Sequence, residues 1–340
     1  MSSIKIRLLA VPLMLQCAIA ATPALDYSKR GFAKQTQGDL DGAIADYNRA
    51  LKLNPKDATA YFNRGVVKKD KGDFDGAIAD YDHILQLNPN DATAYINRGL
   101  TKQTRGDLDG AVADYNRALE LNPKDATAYI TAYNARGLSK QTKGDLEGAL
   151  ADYNRALKLN PDDATAYNAR GVIKEAKGDR EGAIADYNRA LELNPKDAKA
   201  YYNRGLTKYA KDDRNGAIAD YDHALELNSK DARAYNARGV AKNAKGDRDG
   251  AIADYNRTLE LNPEDPTAYN NRGYAKDAKG DCDGAIADYN RALELNPKDR
   301  TALQNRSDAK RAKGDIDGAN ADASRALQLT IALAHTEQPP

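Results

Sequence analysis

Apolar residues recur along this chain at three- and four-residue spacing. Between residues 108 and 121 the apolar positions are Ala111, Val112, Tyr115, Ala118, Leu119 and Leu121. That spacing puts them on one face of a helix and does not fit a strand, whose apolar residues alternate. The preceding stretch, from Asp91 to Arg105, repeats the pattern. Asp91 is placed to cap a first helix, and Gly106 stands where that helix should stop. Asp109 is placed to cap a second helix, which Pro123 ends. The pattern therefore predicts two antiparallel helices joined by a short turn.

The same pair recurs along the rest of the chain. Asn-Pro appears at Asn54, Asn88, Asn122, Asn160, Asn194, Asn262 and Asn296, with Asn228-Ser229 filling the gap; the steps are 34 residues except for one of 38. A Gly-Asp pair keeps the same step from Gly38 to Gly314, with Asp212 once in place of glycine. Nine repeats follow, from near Ala24 to near Leu333. All 25 glycines fall on three repeat positions, as at Gly65, Gly72 and Gly76, so none is left for a phosphate-binding loop. A helix pair this small cannot bury its own apolar face, and stacking of successive pairs is the solution.

The chain resembles the tetratricopeptide repeat family, whose period is about 34 residues with the pattern W-x-x-L-G-x-x-Y, A-x-x-x-F, P. Tyr61 stands for the Trp, Gly65 for the Gly, Ala77 for the Ala, Tyr81 for the Phe and Pro89 for the Pro. Two departures are systematic. The Leu position is Arg in every repeat (Arg30, Arg64, Arg98, Arg136, Arg170, Arg204, Arg238, Arg272, Arg306), and the next aromatic position is Lys, from Lys34 to Lys310. The resemblance implies an all-α solenoid, a right-handed superhelix of nine helix-turn-helix repeats. The last repeat is degenerate, as a cap is: Ser307 replaces Gly, Leu303 replaces Tyr, Asn320 replaces Ile and Ala323 replaces Tyr. Near 126–133 the segment ATAYITAYNARG duplicates Thr-Ala-Tyr and adds four residues. These add one turn to a helix or, alternatively, bend the superhelix.

Residues 1–20 stand outside the repeats. Lys5 and Arg7 precede an apolar run from Leu8 to about Ala20, and Ala18 and Ala20 fit a small-x-small cleavage pattern. This is the design of a secretory signal peptide. The run is short of the ~20 residues a spanning helix needs, and Pro12 interrupts it. Lipidation at Cys17 is disfavoured because Met-Leu-Gln precedes it. The expectation is an exported protein, periplasmic or secreted, with cleavage after Ala20, no stable membrane insertion afterwards and a disordered tail at 334–340. Cleavage takes the formal net charge from +1 to −1. It also leaves one thiol, Cys282, which has no internal partner.

The mean hydropathy is −0.75 and charged residues make up 30%. That argues against a large core with a deep enzyme pocket, and the near-neutral balance argues against a nucleic-acid binder. Gly-Asp-Leu-Asp-Gly has part of a calcium loop in Asp39, Asp41, Gly42 and Ile44. Gln37 and Asn48 stand where the first and last ligands should be, so capping explains the same aspartates. His83 and His223 occupy a slot that is usually Arg, and His335 lies in the tail. Arg180, Arg214 and Arg248 share a turn slot and form a small basic edge, neutralised by Asp179, Asp213 and Asp247. No nucleophile with a base, no metal spacing and no nucleotide fingerprint is seen. The expectation is a non-enzyme with no cofactor.

The resemblance implies a scaffold that holds a peptide or helix of a protein client against the first helices, on the concave face; the alternative is an array that associates with itself. Sixteen of the 20 tyrosines occupy two scaffold slots. The exceptions are Tyr129 in the insertion, Tyr202, Tyr209 and Tyr274. With Phe32 and Phe62, the last three fall on positions that line the groove in the family. Asn63, Asn97, Asn168, Asn203, Asn236, Asn270 and Asn271 stand beside them, and an amide can bond a peptide backbone through donor and acceptor. Finally, Asp46, Asp80, Asp114, Asp152, Asp186, Asp220, Asp254, Asp288 and Asp322 are spaced to face the substituted Arg. That spacing predicts an ionic ladder between the two helices.

Overall fold

A computed structural model of the chain describes residues 23–121 and 126–336, with the side chains of 126–129 and 332–336 left aside. The proposed signal peptide lies outside the described residues. The described residues form eighteen helices and no strand. They divide into two compact units, within residues 1–139 and 140–340. The first carries α1 (Pro23–Thr36), α2 (Leu40–Leu53), α3 (Ala58–Asp70), α4 (Phe74–Leu87), α5 (Ala92–Arg105) and α6 (Leu108–Leu121). The division falls inside α7 (Ala126–Thr142). The second carries α8 (Leu146–Leu159), α9 (Ala164–Ala176), α10 (Arg180–Leu193), α11 (Ala198–Ala210), α12 (Arg214–Leu227) and α13 (Ala232–Ala244). It continues with α14 (Arg248–Leu261), α15 (Pro266–Asp277), α16 (Cys282–Leu295), α17 (Arg300–Ala312) and α18 (Ile316–Thr336). Within each unit, helices pack against their neighbours in sequence, as in a solenoid.

The turn chemistry sets the helix ends. α3, α5, α9, α11, α13, α15 and α17 start on an Asp cap: Asp57 accepts from the Ala60 amide at 3.0 Å and Asp91 from the Ala94 amide at 2.9 Å. Even-numbered helices do the same, but two residues earlier than the sequence suggested. Asp107, not Asp109, caps α6, accepting from the Gly110 amide at 2.9 Å. The reason lies in Gly106, whose left-handed φ of 95° turns the chain so that the very next residue reaches the cap position. Asp212 takes the same left-handed turn at φ 67°, the one non-glycine to do so among the described residues. Asp tolerates that conformation better than most residues. Most even-numbered helices stop where Asn precedes Pro, with Asn54 at φ −134°, ψ 88°, outside the helical region that a following proline disfavours; Asn228, before Ser229, takes the same conformation at φ −143°, ψ 85°.

Small residues and tyrosines make the core. In the second unit the rings of Tyr187, Tyr221, Tyr255 and Tyr289 are fully buried. Each lies against the glycine of its own first helix; a Cβ at Gly205 would meet Tyr221 Cε1 at 2.7 Å. In the first unit burial pushes the Tyr47 hydroxyl up to about 12, so it stays neutral and donates to Gln35 at 3.0 Å. In the last repeat ring and glycine change together: Ala323 removes the ring, and Ser307 fills the space and donates to the Ala319 carbonyl at 2.8 Å.

α7 has 17 residues against 13 for α9, which is the extra turn expected of the insertion. α18 runs to Thr336, past Leu333, because Thr330-Ile331 stands where Asn-Pro ends the other repeats. Residues 337–340 of the expected tail lie outside the described residues. Among the described residues no helix is long and apolar enough to cross a membrane.

Candidate functional site

The substituted Arg and Lys converge on one carboxylate in eight of the repeats, and in the fourth Lys140 reaches Asp152 at 3.0 Å. Arg204 donates to Asp220 through Nη2 at 2.6 Å and Nε at 2.9 Å, and Lys208 reaches the same carboxylate at 2.8 Å. The bidentate pair recurs at Arg30–Asp46, Arg64–Asp80, Arg98–Asp114, Arg170–Asp186, Arg238–Asp254, Arg272–Asp288 and Arg306–Asp322. The aspartates are buried. Around Asp46, the Arg30 hydrogen bonds hold the carboxyl well below the usual range, against the pull of burial and with help from Lys34. Burial pushes Asp322 up, but Arg306 and Lys310 outweigh it and the net shift is downward.

The guanidinium also joins one repeat to the one before. Arg204 Nη1 donates to Asn188 at 2.7 Å, Arg272 to Asn256 at 2.7 Å and Arg306 to Asn290 at 2.8 Å. Where the scaffold ring is present the guanidinium lies over it, as Arg204 over Tyr201 and Arg272 over Tyr269, both at 5.4 Å; in the last repeat Leu303 takes the place of that ring. One fork thus closes its own repeat and ties it to the preceding one, and in most repeats it also covers an aromatic face. In α1 there is no preceding repeat within the described residues, and Arg30 is 51% exposed against 17% for Arg204.

Amides bridge neighbouring first helices in the second unit. Asn203 donates to Asn168 at 3.1 Å, Asn271 to Asn236 at 3.1 Å and Asn305 to Asn270 at 3.0 Å. Between α11 and α13 the series is broken. There Tyr202 lies under the Arg233 guanidinium at 5.3 Å and beside Tyr221, 6.0 Å between ring centres.

Next to that break lies a pocket of about 480 Å³. α11 contributes Tyr209, α13 contributes Val240 and Asn243, and α15 contributes Asn271 and Tyr274. Arg248 stands at the start of α14, and the buried Tyr255 ring also lines the pocket. Tyr274 is 53% exposed, while Tyr209 is half-buried. The pocket thus offers three tyrosines, one of them buried, two amides and a guanidinium around a small apolar surface. That is a binding chemistry with no nucleophile–base pair in it.

Models of the tetratricopeptide repeat match the chain at 36–72, 142–178 and 176–212, at 70–136, and at 202–266, 242–300 and 270–334. The chain belongs to the tetratricopeptide repeat family. No curated protein sequence matches it at a significant level. Among solved structures it is similar to MamA, at 31% identity over 48% of this chain and 95% of that one, with a TM-score of 0.45. Pseudomonas aeruginosa PilF is 20% identical over 62% of this chain and 94% of that one, with a TM-score of 0.55. A chain of the APC/C hetero-tetramer Cut9–Hcn1 is 18% identical over 79% and 52%, with a TM-score of 0.59. The last two share the fold.

Against the tetratricopeptide pattern, the expected site residues separate into three groups. Tyr209, Asn271 and Tyr274 come together in the pocket. Tyr202, Asn203, Asn236 and Asn270 lie on the same first helices, and Asn168 on the preceding one, α9, but all five are engaged with neighbours. Phe32, Phe62, Asn63 and Asn97 belong to the first unit and do not line the pocket. Phe32 is exposed. Phe62 packs edge-on against Tyr81 at 6.0 Å, and Asn97 donates to the Thr93 carbonyl at 2.9 Å. The side chain of Tyr129 is outside the described residues. Asn243 escaped sequence reading because its slot holds varied polar residues, such as Gln35, Gln103 and Glu175. Arg248 was visible as part of the basic edge, but the aspartate set against it does other work: Asp247 caps α14, accepting from the Gly250 amide at 3.0 Å.

Proposed function

We infer that this tetratricopeptide chain is a non-catalytic interaction scaffold, and that an extended segment of a protein client lies along the first helices of the second unit with the Tyr209–Tyr274 pocket as its anchor. One observation carries the reading. The repeat departs from its own pattern at Tyr209 and Tyr274, and both departures line one polar-rimmed pocket. Residues that serve stacking alone would recur from repeat to repeat, as the scaffold tyrosines do in all but the last. The unspent amide donors and acceptors of the Asn pairs suit a peptide backbone running past them.

The test returns each departure to the repeat's own residue. Tyr209→Gln and Tyr274→Val match Gln103 and Val240 in the sister slots, so folding is expected to persist. Capture of a crosslinked client by the double variant is expected to fall about tenfold or more, the loss of two aromatic anchors, with an unchanged circular dichroism spectrum. Undiminished capture would move the site elsewhere.

A second reading, self-association, has one observation behind it. Leu327 on α18 is 60% exposed, whereas its counterparts Leu191, Leu225 and Leu293 are 5–9% exposed beneath the next repeat. Two such ends pairing would cover it. Sedimentation at two concentrations, with Leu327→Gln as control, checks this: a concentration-dependent species that the variant abolishes supports it, and a single monomer species rejects it.

A further inference from the structure

One surface charge pair recurs from repeat to repeat. In each turn a cation reaches back to an acid at the start of the preceding even-numbered helix: Lys71 to Asp41, Arg105 to Asp75, Lys177 to Glu147, Lys211 to Glu181, Lys279 to Asp249 and Lys313 to Asp283. The pattern fails beside the pocket. The acid that would meet Lys245 is replaced by Asn215, and among the described residues no carboxylate lies within salt-bridge reach of Lys245. Arg248 is in the same position three residues on. In the preceding repeat Arg214 is held by Asp212 at 2.7 Å. In this repeat the turn residue is Gly246, as it is Gly178 beside Arg180, and among the described residues no carboxylate lies within salt-bridge reach of Arg248. Two exposed cations in one turn are thus uncompensated, one of them lining a pocket whose other polar groups are phenols and amides.

We propose that this pocket takes the side-chain carboxylate of an acidic residue in an extended peptide, so that the client segment is rich in Asp or Glu. The proposal rests on the second unit's first helices being the client surface, and adds the chemistry of what they hold. A carboxylate in the pocket accepts from the Arg248 fork, the strongest and most directional pairing available to it. The Tyr209 and Tyr274 hydroxyls and the Asn243 and Asn271 amides are able to donate to its remaining lone pairs. Lys245 adds a charge at the rim that steers an acidic segment toward the turn. The acids nearby in sequence are committed: Asp247 to its cap, Asp249 to Lys279 and Asp212 to Arg214.

The test uses the full chain and two fluorescein-labelled peptides, one of alternating Glu and Ala and its Gln–Ala counterpart, read by anisotropy. The Glu peptide is expected to bind about tenfold more tightly than the Gln peptide, the scale of one charge-assisted pair, and to weaken as salt is raised. Arg248→Leu installs the residue of the sister slots Leu40, Leu108 and Leu146, and is expected to abolish the difference. Asn215→Asp restores the missing partner of Lys245 and is expected to weaken the Glu peptide about threefold, a surface-pair effect. Equal binding of both peptides, removed by Tyr274→Val, would overturn the acidic preference and leave the pocket as the client site. Binding of the Glu peptide unaffected by Arg248→Leu, or no binding of it at all, would overturn the proposal while client capture still tests the broader reading. A single-stranded oligonucleotide that binds as well as the Glu peptide would also overturn it, assigning the charge to polyanions at large.

Discussion

Asp220→Ala is expected to destabilise the second unit by about 2–3 kcal/mol, read as a lower urea midpoint in the far-ultraviolet circular dichroism. The carboxylate is 2% exposed and accepts from Arg204 Nε, Arg204 Nη2 and Lys208 Nζ. Its removal leaves two cations facing each other with no acid between them. Breaking a buried pair from one side costs about 3–5 kcal/mol. Both cations retain contact with water here, Arg204 at 17% and Lys208 at 22% exposed, which sets the expectation below that range. Loss of the whole triad is a different case, because desolvation of the charges is then no longer required. Arg204→Leu and Lys208→Tyr, which return those two slots to the family pattern, are therefore expected to recover most of the loss when added to Asp220→Ala. A triple variant as unstable as the single one would show that the ladder stabilises in its own right.

The same locks set the response to acid. Asp46 and Asp322 have carboxyls held below their ordinary value. The folded chain therefore holds their protons less tightly than the unfolded chain. A group of that sign contributes its full stability above the unfolded carboxylate range, near pH 4, and loses it as pH falls toward the depressed folded value. Urea midpoints are expected to be flat with respect to these groups near neutrality and to fall steadily below about pH 4. A stability that rises on acidification would contradict the lock.

The ladder shows how far the sequence can be read. Arg204 and Asp220 stand sixteen residues apart in every repeat, and helical faces alone bring them together once the pair is antiparallel. Lys208 was also in plain sight, yet it looked like a mere departure from an aromatic consensus. Its role depends on the carboxylate having a second oxygen to share, which spacing does not reveal. The Asn168–Asn203 and Asn236–Asn271 bonds join residues of different repeats. They depend on the offset with which one repeat settles on the next, a product of packing. Asp107 displaced Asp109 as the cap for a related reason: the left-handed turn at Gly106 decides which of two nearby aspartates meets the first free amides. The pocket follows the same division. Tyr209 and Tyr274 were legible as breaks in a pattern, but their convergence with Asn243 and Arg248 requires three repeats in contact.

Gly205→Ala is expected to cost about 2–3 kcal/mol, near the top of the range for overpacking a tight core. The added Cβ would lie 2.7 Å from Tyr221 Cε1 and 2.9 Å from Cδ1. The ring is 1% exposed and packs with Ala217 and Ala241 in the core, so it has nowhere to retreat. Glycine is ordinarily a poor helix former, and alanine at an open helical position would stabilise by up to about 1 kcal/mol. The loss is therefore net of an opposing gain, and its sign alone tests the close approach. The last repeat supplies the compensated form, with Ser307 and Ala323 replacing the glycine and the ring together. Tyr221→Ala alone is expected to cost about 3–5 kcal/mol through the cavity it opens. Once the ring is gone, Gly205→Ala meets no clash and recovers helix propensity, so the double variant should be no less stable than Tyr221→Ala. A double-mutant cycle should accordingly give a coupling of about 2 kcal/mol or more between two residues sixteen apart in sequence. Additive losses would mean that the ring moves aside freely, and that the glycine at this position answers to something other than the tyrosine packed on it.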